Sequence, residues 1–154
     1  FRSVPAFNVA SSVSLIIAQR LGRRLCQECC VPASDVPREV LYQEGFTDAM
    51  LADATIMKPV GCDACKDGYK GRVGIHELMP TSEELVKGIN GEYETAKIKR
   101  IAVRNSMKTL HQDSMLKVKE GITTIEEAVA NVPPDIEDLR KIQAAETLEE
   151  AMAL

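Results

Sequence analysis

Cys26 and Cys29, and again Cys62 and Cys65, stand in C-x2-C spacing. Each spacing lets one backbone turn hold two thiolates. Two such turns brought together make a tetrahedral sulfur site, the arrangement preferred by structural zinc. Four thiolates leave no open coordination position, so such a site clamps the chain and transforms no substrate. Its binding free energy becomes folding free energy. Between Cys29 and Cys62 lie 32 residues, more than a compact zinc ribbon holds, which predicts a small inserted subdomain. Cys30 competes with Cys29 as ligand. The C-x2-C turn lets backbone N–H groups reach both sulfurs, and the second pair repeats the spacing, which favours Cys29. The competing readings are a redox dithiol, a disulfide pair, an iron–sulfur centre and unconnected buried thiols. A redox C-x2-C opens a helix in a βαβ unit and needs one pair only. The spacings are not those of ferredoxins.

No other constellation points to catalysis. His76 and His111 are not at ligand spacing from each other and read as polar surface or boundary residues. There is no Ser/His/Asp set, no H-E-x-x-H and no paired acids in a pocket-like context. Glu126-Glu127 and Glu149-Glu150 read as solvated faces or helix-start charges. The chain has 154 residues, 45% of them hydrophobic and 27% charged, with no Trp and a formal net charge of −4. An aliphatic core is implied. The acidic balance argues against nucleic acid, whose readers carry a basic face. The longest wholly apolar run, Leu15-Ile16-Ile17-Ala18, is far below the roughly 20 residues that span a bilayer. There is no signal-peptide pattern. Five cysteines, an odd number, suit metal ligation in a reducing cytosol better than a disulfide framework. The opening at Phe1 suggests a fragment of a longer protein.

The elements that would position the cysteines follow from periodicity. Val9, Val13, Ile16, Ile17 and Leu21 recur at spacings of three and four and predict one amphipathic helix over residues 5–21. Gly22 would stop it, and Arg20, Arg23 and Arg24 would complement its electronegative end. Residues 33–53 read as short helices, with Leu41, Phe46, Met50 and Leu51 packing locally, Asp35 or Ser34 as cap and Pro37 in the first turn. So small a stretch predicts that metal does much of the holding. Thr55-Ile56-Met57 reads as a short strand, and Lys70 to Leu78 as a second, with glycines marking a bend or close approach. Helices follow. Thr81-x-x-Glu84 is a capping box before Leu85, Val86 and Ile89. Ile98, Ile101 and Ala102 mark a second helix. Met107, Leu110, Met115 and Val118 mark a third, ended by Gly121. Thr124-x-x-Glu127 caps a fourth, stopped by Val132-Pro133-Pro134. Residues 133–154 read as a solvated tail, with a helix as the alternative.

Three segments together are more specific than these patterns. Val4-Pro5-Ala6-Phe7-Asn8-Val9 to Ala18-Gln19-Arg20-Leu21 runs into Arg24-Leu25-Cys26. Gly61-Cys62-Asp63-Ala64-Cys65 leads into Gly68-Tyr69-Lys70-Gly71-Arg72-Val73-Gly74-Ile75-His76-Glu77. Leu110, Asp113, Lys117, Val118, Gly121, Thr123 and Glu127 follow. Over about residues 4–132 this combination resembles the C-terminal region of the secretion-superfamily ATPases. These drive type IV pilus assembly (the PilB group) and type II secretion (the GspE group).

The resemblance implies an α/β fold: the C-terminal part of a RecA-like ATPase domain, mostly helical as a fragment, with a small tetracysteine zinc-binding insertion. Its parts would be a terminal core helix over residues 1–22, the insertion over 23–68, a returning core strand over 69–80, a C-terminal helical subdomain over 81–132 and a tail over 133–154. It implies structural Zn2+ on Cys26, Cys29, Cys62 and Cys65. In the parent protein it implies ATP with Mg2+, a homohexamer, and partners in an inner-membrane platform protein and cytoplasmic assembly proteins. The location implied is cytoplasmic, peripheral at the bacterial inner membrane, without nucleic acid or direct membrane insertion. Gly71 and Arg72 become candidates for contacts near the nucleotide. The chain departs from the family in lacking G-x-x-x-x-G-K-[ST], the loop that cradles phosphates, and the acidic and histidine boxes. Ser114 stands where the family commonly has glycine. No catalytic residue is therefore expected here, and the fragment alone should be inactive. The G-Y-K-G-R-V-G-I stretch and the V-P-P-D ending favour the pilus branch. The alternatives are a non-enzymatic zinc-stabilised interaction module and a nucleic-acid zinc ribbon.

Overall fold

The computed structural model describes residues 4–91 and 93–132. They fall into two compact units: residues 4–18 with His76–Thr109, and Gln19–Ile75 with residues 110–132.

The helix expected over residues 5–21 ends after two turns. Helix α1 spans Ala6–Ser12, and Val13 behind it is already extended. Strand β1 then runs over Leu15–Leu25. The apolar residues read as one helical stripe are largely β-branched, and Val13, Ile16 and Ile17 lose rotamer freedom in a helix. Ser11 also turns its hydroxyl back on the Asn8 carbonyl, a local bond that competes with helix propagation. Strand β4, Tyr69–Pro80, supplies the ladder that decides the matter. Cys26 N–H donates to the Gly68 carbonyl and Thr81 N–H to that of Ser14, so the two strands run in opposite directions. Among the described residues, the terminal helix expected over 1–22 is therefore only α1, with β1 behind it, and Arg20, Arg23 and Arg24 complement no helix end.

Between these strands lie β2 (Val31–Pro32), α2 (Arg38–Gln43), α3 (Asp48–Leu51) and β3 (Met57–Lys58). β2 and β3 pair antiparallel, Val31 with Lys58 and Pro32 with Met57. Pro37 sits at the N-cap of α2 without a side-chain cap. Asp35 is drawn instead to Lys58, at 2.8 Å. Thr47 caps α3 by accepting from Met50 N–H.

Beyond β4 come α4 (Glu83–Asn90), α5 (Thr95–Arg104), α6 (Leu110–Lys119) and α7 (Ile125–Asn131). The cap of α4 falls one residue later than its sequence suggests. Ser82 accepts from Leu85 N–H, while the Thr81 hydroxyl donates to Val13 O at 2.6 Å. Thr124 caps α7. The tail expected over 133–154, with Pro133 and Pro134, lies outside the described residues.

These four helices do not form one subdomain. In the first unit, Leu85, Ile101, Ala102 and Met107 bury together, with Met79, Ile98 and Val103 against them. In the second unit, Leu41 and Phe46 from the insertion bury with Met115, Val118, Ile125 and Ala128 from α6 and α7. The insertion thus has an apolar anchor independent of metal. No helix among the described residues is long and apolar enough to cross a membrane.

Candidate metal centre

Two backbone turns present the four cysteines. The first follows β1 directly. Leu25 N–H donates to Ile122 O and Cys26 N–H to Gly68 O, which fixes the end of the strand. Cys29 and Cys30 N–H then both fold back on the Cys26 carbonyl. In the second turn Cys65 N–H donates to Cys62 O, and Cys62 N–H reaches the Cys65 sulfur at 3.2 Å.

The chain leaves the second turn through a tight hairpin. Lys66 and Tyr69 exchange backbone hydrogen bonds of 3.0 and 2.9 Å. Both central residues are left-handed, Asp67 at φ 52° and Gly68 at φ 83°. This is the type I′ geometry that an Asp-Gly pair favours. Gly68 also passes so close to Pro59 that a Cβ would lie 2.4 Å from the proline Cβ. The D-G dipeptide was a legible hairpin signal that the reading of a general glycine-rich bend missed.

These turns bring Cys26, Cys29, Cys62 and Cys65 together, with one sulfur from each within 4.8 Å of all the others. The closest approaches are 3.6 Å for Cys62–Cys65, 3.7 Å for Cys29–Cys65 and 3.9 Å for Cys26–Cys62. A tetrahedron with metal–sulfur bonds of about 2.3 Å has edges of about 3.8 Å. The donor set therefore fits a tetrahedral thiophilic ion. Cys30 is not in the cluster, although its backbone shares the first turn. Cys26 is fully buried, Cys29 and Cys65 are partly buried, and Cys62 is exposed.

The cluster's exposed and partly buried thiols differ in how readily they ionise. At Cys65, burial raises the thiol, but hydrogen bonds from the Cys62 backbone, Cys62 and Cys29 outweigh it and hold the group below the usual thiol range. At Cys62 a backbone hydrogen bond from Ala64 lowers the thiol, yet its bonds to the other sulfurs and burial push it up to about 12. Burial leads the causes that raise Cys29. Cys65 is thus the readier of the pair to ionise, and Cys62 the more reluctant. A bound dication takes both as thiolates, so metal binding must release protons. Lys70 stands beside the cluster, its ammonium favoured first by Glu28 at 2.8 Å and also by Cys26 and Cys62.

A second constellation ties this region to α7, and the sequence reading missed it. Glu127, buried at the first turn of α7, accepts from Arg23 N–H at 2.8 Å and Arg23 Nε at 2.8 Å. Arg23 Nη2 lies 2.7 Å from the same carboxylate, and Asn131 Nδ2 adds a bond at 3.0 Å. The Arg23 guanidinium lies 4.1 Å from the Tyr69 ring centroid. The Tyr69 hydroxyl is 3.1 Å from that of Thr124, and Thr123 donates to Arg23 O. The E in T-x-x-E was legible as a cap. Its partner 104 residues earlier was not.

The histidines differ. His76 is exposed. His111, expected at the surface or boundary, is 2% exposed, and its Nε2 lies 3.0 Å from the Glu44 carbonyl, where it donates. It joins the end of α2 to α6, which is a packing role. Gly71 and Arg72 are both exposed on β4, outside the sulfur cluster, and a Cβ on Gly71 would meet nothing within 4 Å. Ser114 is fully buried in α6 and donates to His111 O.

Comparison with known proteins places the chain in a family. The chain matches the family described as type II/IV secretion system protein over residues 3–130. It is 45% identical over 124 residues to the type IV pilus assembly ATPase PilB of Pseudomonas aeruginosa, covering 80% of this chain and 22% of that protein. The PilB of Myxococcus xanthus is 38% identical over 133 residues, 86% of this chain and 24% of that protein. The type II secretion system protein E of Aeromonas hydrophila is 33% identical over 129 residues, 82% of this chain and 25% of that protein. The chain thus spans about a quarter or less of the length of these curated relatives. With a family match over nearly its whole described length, this chain belongs to the type II/IV secretion system protein family, and its relatives include both PilB and type II secretion system protein E.

Proposed function

We propose that this chain is the C-terminal part of a hexameric ATPase that powers type IV pilus assembly, and that its four cysteines hold a structural zinc ion. The observation that carries the metal assignment is the sulfur cluster: four thiols in two C-x2-C turns, at the separations a tetrahedral zinc needs. Zinc supplies no reaction in such a closed site. It fixes the end of β1 against the hairpin before β4.

The ATPase assignment rests on the relatives' names, and the pilus branch on the higher identity to the PilB proteins than to the secretion protein. The hydrolytic step belongs to a part of the protein with a phosphate loop, because no G-x-x-x-x-G-K-[ST] occurs here. ATP with Mg2+, RecA-like folding of the whole domain, a platform protein at the inner membrane and a cytoplasmic location complete the reading. Large apolar side chains support it: Phe7 is 63% exposed, Ile17 57% and Leu15 45%. This is surface that further parts of a larger protein would cover.

Two measurements test the proposal. Elemental analysis of the purified chain should find about one zinc per chain, lost in Cys62→Ser. ATPase assays should find activity in the full-length parent and none in this chain. A folded, zinc-free chain would sink the metal assignment, and hydrolysis by this chain alone would sink the division of labour.

A further inference from the structure

We propose that the cysteine cluster is a redox latch, which a hydroperoxide opens at Cys62 and which comes to rest as a Cys62–Cys65 disulfide. The proposal rests on the zinc reading for what the thiols release, but not for which thiols react. Three observations support it. Exposure is graded across the cluster, from the fully buried Cys26 to the exposed Cys62, so an oxidant reaches Cys62 first. Cys65 lies 3.6 Å from Cys62, on the same turn, so no strand need move. The rivals sit on the other turn: Cys26, 3.9 Å away, is buried and held by its backbone bond to Gly68, and Cys29 is only partly exposed.

The chemistry balances with a hydroperoxide as the named oxidant. In the zinc-loaded chain, where the ion would have displaced its proton, the Cys62 sulfur attacks the peroxide. An S–O bond forms, the O–O bond breaks, and the alkoxide leaves with a proton as an alcohol (water, for hydrogen peroxide). The Cys65 thiolate then attacks the Cys62 sulfur. An S–S bond forms, the S–O bond breaks, and hydroxide leaves with a proton as water. Two electrons pass from the sulfurs to the peroxide oxygens. With two of four donors gone, Cys26 and Cys29 no longer suffice to hold the ion. The insertion does not unfold, because Leu41 and Phe46 keep it on α6 and α7. What opens is the tie between the two cysteine turns.

The test titrates the zinc-loaded chain with hydrogen peroxide. It reads released zinc with a chromogenic chelator, disulfides by mass spectrometry and helix content by circular dichroism. About one zinc should be released per peroxide consumed, with a Cys62–Cys65 disulfide and an unchanged helical signal. Thiol reductant plus zinc should restore the starting state. Cys30→Ser should behave as the parent, and Cys65→Ser should stop at a Cys62 sulfenic acid that dimedone traps. A disulfide that uses Cys30 or joins the two turns overturns the latch, as does zinc retained until the helices are lost. The reduced, metal-free chain separates this proposal from the zinc reading. If it forms the same disulfide while no zinc is bound on reconstitution, the latch stands and the zinc reading fails. If it forms another pairing, the latch fails whatever the metal content.

Discussion

The two compact units of this chain are held by different means. The unit of α1, α4 and α5 relies on one small apolar cluster around Leu85 and Ile101, beside exposed apolar residues on α1 and β1. The unit that contains the insertion has three supports: the Leu41–Phe46 cluster on α6 and α7, the half-exposed Arg23 on the buried Glu127 and the four sulfurs. The insertion between the cysteines is therefore not a loop that metal alone rescues from disorder. An aliphatic cluster holds its far end, and the sulfurs fix its two necks. This division of labour explains how a small segment between the cysteine pairs can be ordered while Cys62 of its sulfur cluster stays exposed.

The comparison is broken most directly at Phe46, which is 3% exposed. Phe46→Ala should cost about 3–5 kcal/mol in the insertion unit, read by denaturant titration with a probe in α6. A probe in α5 should report a much smaller change. Leu85→Ala, at about 2–5 kcal/mol, should give the opposite pattern. Equal responses at both probes would mean that the two units melt as one.

Chelation comes next. At zinc about a hundredfold above its dissociation constant, the ion contributes about 2.7 kcal/mol. Its removal should expose the amides of Cys26 and Cys65 to hydrogen exchange and leave those of α6 protected. Because Cys62 is pushed up to about 12 in the metal-free cluster, loading must displace protons. Zinc affinity should therefore fall as pH falls below neutral, with proton release visible in a weakly buffered titration.

The Arg23–Glu127 pair ranks third. Glu127→Gln should cost roughly 1.5–3 kcal/mol, the range for hydrogen bonds to charged groups. Burial acts to raise the Glu127 carboxyl, but hydrogen bonds from Arg23 and Asn131 hold it below its ordinary 4.5. The folded value is the lower one, so this stabilisation is complete above pH 4.5 and disappears as pH falls through the depressed value. The parent should lose stability over that acid range, and Glu127→Gln should lose less. Parallel pH profiles for the two proteins would show that the pair contributes nothing of this kind.

What was legible in the sequence follows from the range of each signal. The C-x2-C spacings, the helices beyond Pro80 and the aliphatic composition all declare themselves within a few residues. The strand over Leu15–Leu25 does not. Its apolar spacing fits a helix, and only pairing with a strand more than 40 residues later overrides it. The same limit hid the partners of Arg23 and His111, whose acceptors lie 104 and 67 residues away. It also hid the grouping of α6 and α7 with the insertion. Sequence separation, and not weakness of the final contact, decided what could be read.

The smallest effect contrasts the units through a motif they share. Helix α6 ends with Ile122 N–H on Lys117 O and Gly121 N–H on Val118 O, a Schellman motif with glycine at the left-handed position, φ 67°. Helix α5 ends the same way, with Met107 N–H on Ala102 O and Ser106 N–H on Val103 O. There a serine occupies that position, at φ 68°. A side chain with a Cβ is strained in this conformation, so Ser106→Gly should stabilise the α4–α5 unit by about 0.5–1 kcal/mol. The reverse exchange is not symmetric. A Cβ on Gly121 would lie 2.7 Å from both Met57 Cγ and the Thr55 carbonyl. Gly121→Ser must therefore add a packing clash to the backbone strain and cost more than Ser106→Gly gains. Thermal melts of the two variants should move in opposite directions, with the larger shift downward. A Ser106→Gly variant that melts lower than the parent would mean that the serine hydroxyl, and not its backbone conformation, sets the end of α5.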